Sequence, residues 1–121
     1  MISASSGKTS RVILSLILCG IKAAQASYEH SVTLAGGQTH ETCNKLAAGV
    51  VLNYQYTGNS VTLFNIHYHR GKEISYPVPD FLAFRTSGSL KTNSAEDYCL
   101  MWENIRNMPV ILRYRVDFPA Q

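Results

Sequence analysis

Apolar and polar residues alternate with a period of two along most of this chain, and a helical period is almost absent. The clearest run is the last, where Val110, Leu112, Tyr114, Val116 and Phe118 alternate with Ile111, Arg113, Arg115 and Asp117. One apolar face and one mostly charged face predict a half-buried strand. Leu52, Tyr54 and Tyr56 alternate with Val51, Asn53 and Gln55, and Gly58-Asn59 then reads as a turn. Thr62, Phe64, Ile66 and Tyr68 form a further inward row, leaving Leu63, Asn65, His67 and His69 on the outer face. Tyr98, Leu100 and Trp102 form another, with Cys99, Met101 and Glu103 opposite.

Shorter strands are expected over 31–34, 39–46, 72–78 and 81–85. Turn chemistry falls between them at Gly36-Gly37, Ala48-Gly49, Arg70-Gly71, Pro77 to Asp80 and Ser87-Gly88. The polar segment Thr86 to Ala95 reads as a surface loop or short hairpin. Seven to nine short strands with turns every eight to twelve residues or so predict an all-β fold, an antiparallel β-sandwich.

The first 26 residues break this pattern. Lys8 and Arg11 precede an apolar run, Val12 to Ile21, and Ala24-Gln25-Ala26 matches the small-residue motif that signal peptidase accepts. A membrane span needs about 20 apolar residues, and Lys22 interrupts the run well before that length. Leu18 stands where a lipidated Cys19 would need a small neighbour. The expected organisation is a signal peptide over 1–26 and a single domain over 27–121, exported to the periplasm or the extracellular space. No integral membrane segment is expected after cleavage.

The leader changes the charge balance. The chain has 11 Lys and Arg against 8 Asp and Glu, a net +3, but Lys8, Arg11 and Lys22 all lie in the leader. The remaining domain is therefore neutral, and no basic patch supports nucleic-acid binding. Arg113 and Arg115 form a local pair on the solvent face of their strand.

Two cysteines, Cys43 and Cys99, remain outside the leader. In an oxidising compartment such a pair is expected to form a disulfide, worth roughly 3–4 kcal/mol on the chain-entropy model. Two buried thiols or a thiolate metal site are the alternatives.

Several of these positions resemble a known family. Tyr98, Trp102 and Asn104, followed by the 110–116 strand, resemble the end of a GOLD domain, the β-sandwich of the eukaryotic transmembrane cargo receptors and of some lipid-binding Golgi and Sec14-like proteins. Upstream, Cys43, Leu46 and Gly49 leading into Leu52, Tyr54 and Tyr56 are similar to the family's cysteine, glycine and first core strand. Phe64 and Ile66 fall where a central strand is expected. The receptors' second cysteine corresponds to Met101, whereas this chain has Cys99, and the spacing from Cys43 to Gly49 is shorter. No coiled-coil stalk, membrane span or cytoplasmic tail accompanies these motifs. The resemblance thus implies a GOLD or jelly-roll-like fold and a ligand- or protein-binding role, without cargo transport.

Candidate chemistry is sparse. His67 and His69 share one face of a strand about 6.5–7 Å apart, and two neutral imidazoles so placed suit zinc, copper or nickel. His30, His40, Glu73 and Met101 are candidate further donors. If the disulfide were absent, Cys99, Met101 and a histidine would form a soft copper set. No nucleophile elbow, zinc-protease helix or phosphate-cradling loop occurs. Glu96 and Asp97 are neighbours that point to opposite faces of a strand, and a disulfide would consume Cys43 as a partner for His40. No catalytic residue is expected.

Tyr54, Tyr56, Tyr68, Tyr98, Trp102 and Tyr114 lie on inward rows and are expected to pack the core. Tyr76 and Phe81 flank the Pro77–Asp80 turn and are the expected contacts for a ligand or partner. The sequence thus reads as an exported, non-catalytic binding module, either for a protein or for a small ligand. The alternative is a small copper- or zinc-binding protein using His67 and His69.

Overall fold

A computed structural model describes residues 25–120. The expected leader lies outside these residues except for Gln25 and Ala26, which open the first strand. Six strands follow in order: β1 (Gln25–Leu34), β2 (Thr39–Leu46), β3 (Val51–Arg70), β4 (Glu73–Lys91), β5 (Glu96–Glu103) and β6 (Val110–Pro119). All pairings are antiparallel, in the order β1-β6-β3-β5-β2, with β4 paired to β3. Among the described residues no helix is long and apolar enough to cross a membrane.

Two long strands organise the sheet. The first part of β3 pairs with β6 through Asn53–Gly58, and its second part pairs with β5 through Leu63–His67. β4 runs beside β3 along both parts. The sheet therefore curls, with β1, β6 and the starts of β3 facing β2, β5 and its end. Aromatic contacts cross the interior: Trp102 of β5 stacks on Tyr114 of β6 with ring centroids 4.5 Å apart, and Tyr56 meets Trp102 edge-on at 5.8 Å. At the β1–β2 opening the Tyr28 hydroxyl lies 3.1 Å from Thr42 Oγ1 and donates to Asn44 Oδ1 at 3.0 Å.

The inward rows expected from alternation form this core. Leu52, Tyr56, Phe64, Ile66, Tyr98, Leu100, Trp102, Leu112, Tyr114 and Val116 are all buried, and Tyr54 and Tyr68 pack at its margin. The expected turns at Gly36-Gly37, Ala48-Gly49 and the start of β4 are present. Gly49 has φ +79°, a left-handed backbone that a side chain would strain.

The strand count differs from expectation, being six rather than seven to nine. Gly58-Asn59 does not reverse the chain. It lies inside β3, where the register against β4 shifts between Thr57 and Thr62 and the strand bends from one half of the sheet to the other. Of segment 86–95 only 92–95 is a loop, because β4 continues to Lys91. Glycine at position 88 instead makes room for the Tyr54 ring on the neighbouring strand. Pro77 to Asp80 also stays within β4, at two register shifts where one residue of β3 faces two of β4. β4 is an edge strand, so the missing proline N–H groups cost no ladder bonds on its open side.

Candidate functional site

The outer face of β2, β5 and the second part of β3 gathers the chemistry. In one row across the strands, His67 sits opposite Cys99, and Cys99 opposite Cys43; in the next, Asn65, Met101 and Glu41 align. Cys43 and Cys99 form the expected disulfide. Cys43 is exposed, while Cys99 is buried.

Alternation places Asn65 and His67 outward from the main core, yet both are buried, at 1% and 5% exposure. The two shifts in β4 explain this. Each inserts an extra residue, opposite Asn65 and opposite His67, and so folds Asp80 and Tyr76 over the face. Asn65 Nδ2 donates to Asp80 Oδ1 at 2.8 Å, and the Tyr76 ring lies 5.8 Å from that of His67.

This network fixes the imidazole. A carboxylate only accepts, so Asn65 must turn its amide nitrogen toward Asp80 and its oxygen toward His67. His67 Nδ1, 2.7 Å from Asn65 Oδ1, therefore carries the proton and donates it. Nε2 then faces Glu41 Oε1 at 3.4 Å. In a neutral ring those are two acceptors confronting each other, an arrangement that a bound cation between them relieves. The chain Glu41–His67–Asn65–Asp80 thus runs from one partly exposed carboxylate, through two buried groups, to another.

His67 and His69 do lie side by side, with ring centroids 5.3 Å apart. The donors that cluster tightly with His67, however, are Glu41 and Cys99, whose ligand atoms lie within 4.8 Å of one another and of His67. Sequence reasoning missed Glu41, Asn65 and Asp80 as a unit. The cross-strand register joins them, together with bulges that no local motif announces.

Of the two expected contact residues, Tyr76 is 47% exposed on this face. Phe81 turns inward and packs edge-to-face on Phe64 at 5.5 Å. Ile74, Leu82 and Phe84 join Tyr76 as exposed apolar side chains of β4. On the opposite half, Arg85 of β4 and Arg113 of β6 flank Thr57 in one row, beside Arg115. They line a shallow depression of about 530 Å³. Arg115 is held by Glu29 and Asp117, and this contact keeps the Asp117 carboxyl below its ordinary range.

At the β1–β2 opening, His40 stacks on Trp102 and its Nε2 lies 2.9 Å from the Tyr114 hydroxyl. Burial, with the nearby His30 charge, holds His40 below the ordinary imidazole value. Burial also pushes the Tyr56 phenol up to about 12.

No family model matches the chain, the GOLD family included, and no curated protein matches it. Solved structures do. PliG of Aeromonas hydrophila, a periplasmic lysozyme inhibitor of g-type lysozyme, is similar with a TM-score of 0.53 over 80% of this chain and 88% of that one, at 18% identity. A chain of the Bacillus endospore appendages, which form disulfide-linked pili, gives 0.53 over 81% and 88%, at 8% identity. At such identities the likeness is one of fold, an all-β sandwich-like domain.

Proposed function

We propose that this protein is an exported, non-catalytic binding module with a GOLD-like, jelly-roll sandwich fold, and that its partner is another protein. The observation that carries this reading is the line of exposed apolar side chains Ile74, Tyr76, Leu82 and Phe84 on an edge strand paired on one side only. Open edges with apolar side chains invite association, and proteins that stay apart usually blunt them with charge. Export is supported by the leader's charge, apolar run and cleavage motif, and by a disulfide joining residues 56 positions apart. The passage of β3 and β4 through both halves of the sheet supports the jelly-roll description.

PliG, a fold neighbour, inhibits a g-type lysozyme, so that enzyme class is the first probe. Purified g-type lysozyme and a secreted-protein fraction are each cross-linked to the wild type and to a Leu82→Ser/Phe84→Ser variant. A partner held by the wild type, reconstituted from purified components and lost in the variant supports the reading. Equal retention by both proteins sinks the assignment to β4, and no retention at all sinks the binding role. The metal alternative built on His67 and His69 has less behind it. Among the described residues no third His, Cys, Asp or Glu completes a tight set with both histidines.

A further inference from the structure

The disulfide lies among the donors that surround His67, and its reduction would turn a covalent staple into two ligands. We propose that the reduced protein binds one Zn²⁺ ion through Cys43, Cys99, His67 and Glu41. Glu41 Oε1 is 3.4 Å from His67 Nε2 and 3.3 Å from Cys43 Sγ. The ligand atoms of Glu41, His67 and Cys99 fall within 4.8 Å of one another. A tetrahedral zinc ion with bonds of about 2.0–2.3 Å sets its ligands about 3.3–3.8 Å apart. Two edges of that tetrahedron are thus already in place, and separation of the two sulfurs opens the centre.

The backbone supplies the rigidity. His67, Cys99 and Cys43 occupy one row across three hydrogen-bonded strands, with Glu41 on the same face two residues from Cys43. The outer shell is also built, since Asn65 accepts the Nδ1 proton of His67 and is itself held by Asp80. A ligating histidine needs this arrangement, with one nitrogen donating and the other left free for the metal. His67 Nε2, facing a carboxylate without a proton of its own, is the free nitrogen.

The step balances with a dithiol reductant. Its thiolate attacks Sγ of the exposed Cys43, forming a mixed disulfide and releasing Cys99 as a thiolate beside His67. The second thiol of the reductant then displaces Cys43 and leaves as a cyclic disulfide, so two electrons pass to the bridge. Zn²⁺ binds both sulfurs as thiolates, and their protons go to solvent. β2 and β5 are then joined by a sulfur–sulfur bond in one redox state and by zinc in the other. This site is independent of the apolar line on β4.

The test uses the full chain reduced with a dithiol, freed of reductant under anaerobic conditions, and titrated with Co²⁺ and then Zn²⁺. The expected result is one equivalent of Co²⁺, a thiolate-to-cobalt charge-transfer band, displacement by Zn²⁺, and at least a hundredfold weaker binding to the oxidised protein. His67→Ala and Glu41→Gln should each weaken Zn²⁺ binding at least tenfold, and Asn65→Ala about 10–100-fold. Asp97→Asn, which alters the competing Cys43–Asp97–Cys99 set, should leave it unchanged. Equal binding by oxidised and reduced protein would overturn the proposal. So would binding indifferent to His67→Ala and Glu41→Gln, which is what two thiols of an unfolded chain would give, or a loss in Asp97→Asn matching that in Glu41→Gln.

Discussion

Replacing both bridged cysteines, Cys43→Ala with Cys99→Ala, should remove a large share of the stability of this domain. The bridge closes a loop between residues 56 apart in sequence. On the chain-entropy model, opening such a loop in the unfolded ensemble is worth about 4 kcal/mol. Domains of this size have only about 5–15 kcal/mol to lose. The loss acts through the unfolded state, because Cys43 and Cys99 face each other on paired strands and β2 and β5 keep their ladder without the bond. Urea unfolding followed by tryptophan fluorescence, with Trp102 as the reporter, gives the free energy directly. A fall in melting temperature of about 15–30 °C should accompany it, with a steeper urea dependence as the freed chain exposes more surface. The wild type with its bridge reduced in metal-free buffer separates the two components of the effect. It should exceed the double variant by no more than about 1 kcal/mol, since alanine at exposed position 43 removes little and at buried position 99 only the contacts of one sulfur. A double variant within about 1 kcal/mol of the bridged protein would refute the reasoning. It would mean that the unfolded chain holds β2 near β5 without the link.

Other consequences can be checked with single substitutions. Buried Asn104 donates to the Leu34 and Met108 carbonyls and accepts from the Arg106 N–H, so Asn104→Ala should cost about 3 kcal/mol by chemical denaturation. The folded state holds His40 below its unfolded value and so favours its neutral form; unfolding takes up a proton as the pH falls. Its contribution should be complete above about pH 6.5 and lost as the pH drops through the depressed folded value, and His40→Phe should flatten that part of a stability–pH curve. Tyr114→Phe, which removes the hydroxyl beside His40 Nε2, should cost about 1 kcal/mol, measured the same way. Leu82→Ser/Phe84→Ser should stay within about 0.5 kcal/mol of wild-type stability in the same assay, because both side chains are more than half exposed.

The inward rows were legible because alternation has one cause here, a sheet with one face against a shared core. Leu112, Tyr114 and Val116, or Tyr98, Leu100 and Trp102, could hardly sit otherwise. Strand ends were less legible, because glycine and proline have more than one use. Gly58 reads as a turn but serves a bend, Gly88 gives way to an aromatic ring across the strand, and Pro77 and Pro79 sit at irregularities of an edge. The site was half legible for a related reason. Parity put Asn65 and His67 on the correct face, but it carries no information about what covers that face. Their burial depends on two extra residues in β4, and the link to Glu41 depends on how β2 aligns with β5 and β5 with β3.

Strands β3 and β4 belong to both halves of the curled sheet, so neither half has a border along which it could melt alone. Release of β3 anywhere along its length would withdraw a neighbour from β4 and from β5 or β6 as well. Amide protons in the middle of β3 should therefore exchange only through opening of the whole domain, at one common rate set by global unfolding. The chain should also organise late, because among the described residues β1 finds its only ladder partner in β6, nearly the whole described sequence away. Such distant closure slows folding to milliseconds or longer. This protein should therefore act as a single cooperative unit, with no subdomain that folds ahead of the rest.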